Sequence, residues 1–233
     1  MTGHVRWGVL GASKFAREHM APAIHLAGGG KLAALATSSA DKAEPFQEIN
    51  PDLTVHLDYD ALLADPEVDA VYIPLPNHLH VEMSRKAIAA GKHVLCEKPM
   101  TMQADEFDEL IALRDRSGLV VAEAYMIVHH PQWQRAHYLV EDGAIGELQE
   151  VRGFFAYNNA ADPGNIRNTP GTGGGGITHG LTQIGQIGHG CLFGGSLSFC
   201  IGHDVRYLAF LSFIDLKSMT SGCWPSCLCS APA

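Results

Sequence analysis

Residues 5–16 read VRWGVLGASKFA, and this stretch decides the fold. Val5 to Leu10 is a short, mostly apolar run closed by Gly11-Ala12-Ser13, the pattern of a buried strand ending in a tight turn. Phe15, Ala16, His19, Met20 and Ile24 then recur at helical spacing, so a helix follows the turn. After Gly28-Gly29-Gly30, Leu32 to Thr37 makes a second apolar run, which completes a strand, turn, helix, strand order. The turn itself is a variant of GxGxxG with Ser13 at the second glycine and Ala16 at the third. Gly11 permits the tight turn, the small Ser13 lets a pyrophosphate approach, and Ala16 allows the helix to pack closely.

The alternation continues outward from there. It predicts helices over Asp41 to Ile49, Tyr59 to Ala64, Val81 to Ala90 and Ala104 to Arg116. Between them fall strands near Thr54 to Leu57, Asp69 to Pro74, His93 to Cys96 and Leu119 to Ala122. Such a sequence makes an α/β protein with a doubly wound parallel sheet, whose ligands bind outside the carboxyl ends of the strands. Pro131 to Glu141 reads as a further helix. Leu148 to Tyr157 alternates like a strand with one wetted face, which opens a second, α+β domain with a mainly antiparallel sheet. The expected division is a dinucleotide-binding domain over 1–122, the start of a substrate domain over 123–176, and an atypical tail over 177–233.

Composition narrows the partners. The 233 residues carry 16 Lys plus Arg against 25 Asp plus Glu, a net charge of −9, which lacks the basic surplus that nucleic acid or an acidic membrane surface requires. No signal peptide or apolar run of about 18 residues is present, so the expected compartment is cytoplasmic. Cys191, Cys200, Cys223, Cys227 and Cys229 cluster after Ile177, whereas only Cys96 precedes it. Their spacing fits no common zinc pattern, so no metal site is expected, and free thiols are favoured over disulfides.

Two strand ends carry the cofactor chemistry. Where an acid would hold the ribose hydroxyls of NAD, the second strand instead leads into Thr37-Ser38-Ser39-Ala40-Asp41-Lys42. The hydroxyls of Ser38 and Ser39 and the cation of Lys42 suit a 2′-phosphate, so NADP is favoured over NAD; a solvated loop with Ser39 as a helix cap is the bland alternative. Further along, Pro74 to His80 (PLPNHLH) and Glu97-Lys98-Pro99 fall at the expected crevice. A lysine held between Glu and Pro at a strand end can donate to an oxygen whose charge changes during hydride transfer.

Taken together, VRWGVLGASKFA at 5–16, PNHLH at 76–80, GKHVLCEKP at 91–99, EAYMIVHHPQ at 123–132 and DPGNIRN at 162–168 resemble the Gfo/Idh/MocA oxidoreductases, the glucose-fructose oxidoreductase and inositol dehydrogenase family. The nearest branch is that of the NADP-dependent D-xylose and trans-1,2-dihydrodiol dehydrogenases. The resemblance implies a Rossmann-type first domain and hydride transfer between a nicotinamide and a carbon of a sugar or polyol-like substrate. It implies that Gly11, Ser13, Phe15 and Ala16 line the pyrophosphate, Ser38 and Lys42 the adenosine phosphate, and Pro74, Asn77 and His80 the nicotinamide side. Glu97 and Lys98 match the family's EKP, with Lys98 as the catalytic group and a Lys-Pro peptide that is commonly cis. Asn165 and Arg167 match a loop that borders the substrate pocket.

The resemblance stops near residue 176. Family members continue from the glycine run into a helix with an Asp-Ile-Gly-x-Tyr or Asp-x-x-x-His motif, but here Ile177 to Gly185 reads ITHGLTQIG. His179 and His189 are the nearby substitutes for the second catalytic group. The last 57 residues carry only four charged side chains, Asp204, Arg206, Asp215 and Lys217. A shifted reading frame, a misjoined exon or a gene-model error is the expectation for this tail. A non-catalytic, dinucleotide-binding remnant is therefore the alternative to an active oxidoreductase. The resemblance also implies a possible homodimer, since members of the family often pair through the outer face of the second domain's sheet, an arrangement that a shortened sheet disfavours.

Overall fold

Strands β1 (Val5–Leu10), β2 (Gly30–Ala36), β3 (Thr54–His56), β4 (Ala70–Ile73), β5 (His93–Glu97) and β6 (Val121–Ala124) form one sheet in the order β3-β2-β1-β4-β5-β6, with every pairing parallel. The computed structural model describes residues 3–147, 150–156, 162, 164–166, 169–174, 196–202 and 208–214. The chain divides into two units, Met1–Ala124 and Tyr125–Ala233, and this sheet belongs to the first.

Each crossover carries a helix. A π-helical turn, Ala16–Met20, runs into α1 (Ala21–Leu26); α2 (Glu44–Gln47), α3 (Tyr59–Ala64), α4 (His80–Ala89) and α5 (Ala104–Ser117) follow in chain order. The expected doubly wound sheet is thus present, with two local differences. The helix expected over Asp41 to Ile49 is a 3-10 turn, Ala40–Lys42, followed by the short α2. Pro45 has no N–H to bond back across the junction, so it starts a new helix rather than continuing one. The sixth strand begins two residues later than the apolar run Leu119 to Ala122. Ser117 Oγ accepts the Leu119 N–H at 3.3 Å, which keeps Leu119 in the turn, and pairing with β5 starts at Val121 opposite Val94.

Successive strand residues point to opposite faces, so the sheet builds two cores. Leu10, Val71, Ile73, Val94 and Cys96 pack with Leu62 of α3, Met83 and Ala87 of α4, and Leu110 of α5. On the other face Val9, Leu35 and Tyr72 pack with Ala16, Ala21, Ile24 and Phe46. Leu32 joins this second core although it lies three positions before Leu35, an odd offset that would put the two on opposite faces. The β1–β2 register shifts so that Trp7 faces Leu32 but Gly8 faces Ala34, and the extra residue, Ala33, puts both leucines on one side. Gly8 lets α3 sit close to β1, because a Cβ there would lie 2.7 Å from Leu62 Cδ2.

In the second unit a 3-10 turn, Met126–His129, precedes α6 (Pro131–Glu141). Pro131 occupies the first helical position, and His130 Nδ1 accepts the Gln132 N–H at 3.2 Å. Strands β7 (Glu150–Ala156), β8 (Ser196–Gly202) and β9 (Leu208–Ile214) form a sheet in which β7 and β8 are parallel and β8 and β9 antiparallel. β7 lies within the strand expected at Leu148 to Tyr157. Among the described residues no helix is long and apolar enough to cross a membrane.

At the amino ends of the strands, Asp69 accepts from Arg6 N at 2.8 Å, Nε at 2.9 Å and Nη2 at 2.8 Å, which ties β1 to the entry of β4. These bonds from Arg6 hold the Asp69 carboxyl down to about 2. With an unfolded value of about 3.9, the folded state gains from this pair fully above that pH and loses the gain as the pH falls toward about 2. Asp69→Asn should therefore unfold at lower urea than wild type near neutral pH, with the difference closing in acid. A deficit that stays the same at every pH would remove the ion pair as its cause.

Candidate functional site

The site is built at the carboxyl ends of β1, β4 and β5. Strand order reverses between β1 and β4, so the crossovers on either side diverge and leave a crevice above them. β1 runs into Gly11, whose φ of +101° is open only to glycine without strain, and a Cβ there would also lie 2.8 Å from Leu75 Cδ2. Ser13 N–H donates to Gly11 O at 3.0 Å, and Ser13 Oγ accepts the Ala16 N–H at 3.1 Å, so Ser13 caps the helix that follows. The amides of Lys14 and Phe15 stand in the first turn, where no intrahelical acceptor exists. The Phe15 ring lies against His19 with centroids 5.0 Å apart, and Ala16 is fully buried. This turn fits a dinucleotide's diphosphate: glycine at position 11 lets the chain turn tightly against Leu75, and first-turn amides are the donors an anion needs.

At the tip of β2, Thr37 is buried and Ser38 is exposed. Thr37 Oγ1 accepts the Ser39 N–H at 3.5 Å, while Ser39 makes no side-chain bond to the 3-10 turn it precedes. The helix-capping reading of Ser39 is thereby corrected, since the capped element is only one short turn. Lys42 is exposed within that turn, beside Asp41, and pairs with no carboxylate among the described residues.

Around Lys98 the side chains converge on the backbone. Lys98 follows β5, is half-buried, and its peptide bond to Pro99 is cis. Three groups hold this loop. Tyr72 OH donates to Glu97 Oε1 at 2.7 Å, and Glu97 Oε2 accepts the Lys98 N–H at 3.3 Å. His80 is fully buried, with Nδ1 2.7 Å from Pro99 O and Nε2 2.7 Å from Leu75 O. Glu123 Oε1 accepts the Met100 N–H at 2.8 Å. Burial, then the negative charge of Glu97, raises the Tyr72 hydroxyl far above its ordinary value, so it stays a donor.

Sequence reasoning set His80 and Glu97 toward the cofactor. In the structure the fully buried His80 ring contacts the loops that carry Leu75 and Pro99, and the half-buried Glu97 bonds Tyr72 of β4 and the Lys98 N–H. Pro74 is half-buried and Asn77 buried at the end of β4, beside this clamp. Sequence reasoning missed Tyr72 and Glu123. Tyr72 reads as an ordinary aromatic of a buried strand, and its partner lies 25 residues away. Glu123 begins the EAY segment, so its position was marked but its partner was not.

In the second unit Asn165 Nδ2 donates to Asp162 Oδ2 at 2.9 Å. Arg167, His179 and His189 lie outside the described residues. Among the described residues no group of three or more His, Cys, Asp or Glu side chains is placed to hold a metal ion.

Residues 5–125 match the model of an oxidoreductase family with an NAD-binding Rossmann fold, Gfo/Idh/MocA. An uncharacterized oxidoreductase of Rhizobium meliloti, ORF334, is 42% identical over 173 residues, 74% of this chain and 52% of that one. A D-xylose 1-dehydrogenase (NADP(+)) of Haloferax volcanii is 35% identical over 171 residues, 73% of this chain and 52% of that one. The crystal structure of KijD10, a 3-ketoreductase from Actinomadura kijaniata, in complex with NADP and TDP-benzene, superposes with a TM-score of 0.72 at 33% identity, covering 80% of this chain and 57% of that one. The chain spans about half the length of the curated relatives it matches. With its parallel sheet in the order β3-β2-β1-β4-β5-β6, its glycine turn at Gly11 and its match over residues 5–125, the chain belongs to the Gfo/Idh/MocA oxidoreductase family.

Proposed function

We propose that this chain is an NADP-dependent oxidoreductase that moves a hydride between the nicotinamide and a carbon of a sugar or polyol-like substrate. The observation that carries the reading is the threefold anchoring of the Lys98 loop at the same strand ends that form the Gly11 turn. The relatives act on comparable molecules, a xylose dehydrogenase and a 3-ketoreductase among them. On this reading residues 1–122 bind the dinucleotide, 123–176 begin the substrate domain, and 177–233 are an atypical tail.

When bound, the nicotinamide supplies the hydride acceptor or donor. Gly11, Ser13, Phe15 and Ala16 form the turn for the diphosphate; Ser38 and Lys42 take the 2′-phosphate through hydroxyl and ammonium donors. Pro74 and Asn77 border the nicotinamide side, and Asn165 and Arg167 belong to the substrate loop. The Lys98 ammonium donates to the reacting oxygen. In reduction it gives its proton to the alkoxide that forms as the hydride reaches carbon; in oxidation the neutral amine takes the hydroxyl proton as the hydride leaves. Glu97 and His80 act through the loop: they hold Lys98 in one place, so that its donor need not reorganise during the step.

Fluorescence titration of the full chain with NADPH and NADH is the primary test. Lys42→Ala should weaken NADPH about tenfold and leave NADH nearly unchanged, since only one ligand carries the 2′-phosphate. Equal losses for both would sink the assignment. Lys98→Met should keep NADPH affinity and lose turnover on a panel of aldoses; retained turnover would remove Lys98 from the mechanism. Wild-type binding without turnover would assign the chain to the alternative, a dinucleotide-binding remnant. His80→Ala removes the buried ring that stands 2.7 Å from Pro99 O and from Leu75 O, leaves a buried carbonyl without its donor, and should cost about 1–3 kcal/mol of folding stability. A stability within error of wild type would refute the clamp.

A further inference from the structure

We propose that the Tyr59 hydroxyl is a further ligand of the dinucleotide, donating to an oxygen of its diphosphate bridge; this rests on the dinucleotide reading above. Tyr59 is the first residue of α3 and stands just past the carboxyl end of β3, at the same end of the parallel sheet as the Gly11 turn. Its hydroxyl lies 3.8 Å from the point where a Gly11 Cβ would stand, which puts it at the edge of the glycine turn assigned above to the diphosphate. Asp58 accepts the Ala61 N–H at 3.1 Å, which fixes the start of the helix and with it the direction of the Tyr59 side chain.

The ring and the hydroxyl have separate surroundings. The half-buried ring packs against the core that α3 shares with β1 and β4. The hydroxyl makes no hydrogen bond among the described residues. A phenylalanine would fill the core equally well, so packing does not account for the oxygen. A phenol is a neutral donor that suits a phosphate oxygen, and it is placed beside a backbone position whose conformation and crowding both demand glycine. The nearby carboxylate of Asp60 is engaged by Lys86 Nζ at 2.9 Å, which reduces its repulsion of an anion at the turn.

Tyr59→Phe isolates the hydroxyl. In titrations of the full chain it should bind NADPH, NADH and ADP-ribose each about tenfold more weakly than wild type, while the melting temperature without ligand stays unchanged. This pattern differs from that of Lys42→Ala, which distinguishes the two phosphate-bearing ligands. Affinities equal to wild type, or a loss confined to NADPH, would overturn the assignment to the diphosphate. A lowered melting temperature without a loss of affinity would make Tyr59 a packing residue only. Should wild type bind none of the three, the dinucleotide reading itself falls; Tyr59→Phe matching a wild type that does bind refutes only the role of Tyr59.

Discussion

β1 pairs with β4 through Trp7–Ala70, Gly8–Val71 and Val9–Tyr72, while its other edge pairs with β2, and the geometry of the site follows from that central position. Parallel neighbours need crossovers of one hand, so the chain must leave β1 on one face of the sheet and return to β4 on the other. The loops after β1 and β4 therefore separate, and the gap between them is a place where a long flat ligand could lie against backbone. Gly8 and Gly11 keep this junction tight at its two ends, one by admitting α3 and the other by turning the chain away from Leu75.

The polar side chains at the junction serve mainly the backbone. Tyr72, His80 and Glu123 come from three different elements and meet on a loop of four residues, Glu97 to Met100. Each removes a donor or acceptor that burial would otherwise leave unmet, and each restrains the loop that carries Lys98. The half-buried lysine projects from a support whose Lys98 and Met100 N–H groups are both bonded to carboxylates. That arrangement suits electrostatic stabilisation, which gains from a donor already in place rather than one recruited during reaction.

Much of this was legible in the chain. Helices α3 and α6 and strand β1 have the limits their sequences predict, because a cap or proline begins each helix and a glycine ends the strand. Lys98 was singled out by its neighbours alone. Less legible were the breaks in periodicity: Pro45 divides an expected helix, and the bulge opposite Trp7 and Gly8 turns Leu32 toward the same core as Leu35. A strand's period of two predicts the opposite for that pair, and nothing in LAALAT marks the extra residue.

By itself the sequence determined the order of strands and helices, the parallel sheet, the glycine turn and the lysine, since each is set by local spacing, turn chemistry or the identity of a few adjacent residues. Only the tertiary structure decided what the surrounding polar groups do. His80 touches carbonyls 5 and 19 residues away, and Tyr72 meets a carboxylate 25 residues on, at distances along the chain that no local pattern encodes. Pairing β1 with β4 and β4 with β5 brings those groups within hydrogen-bonding reach, and burial then obliges them to bond to one another.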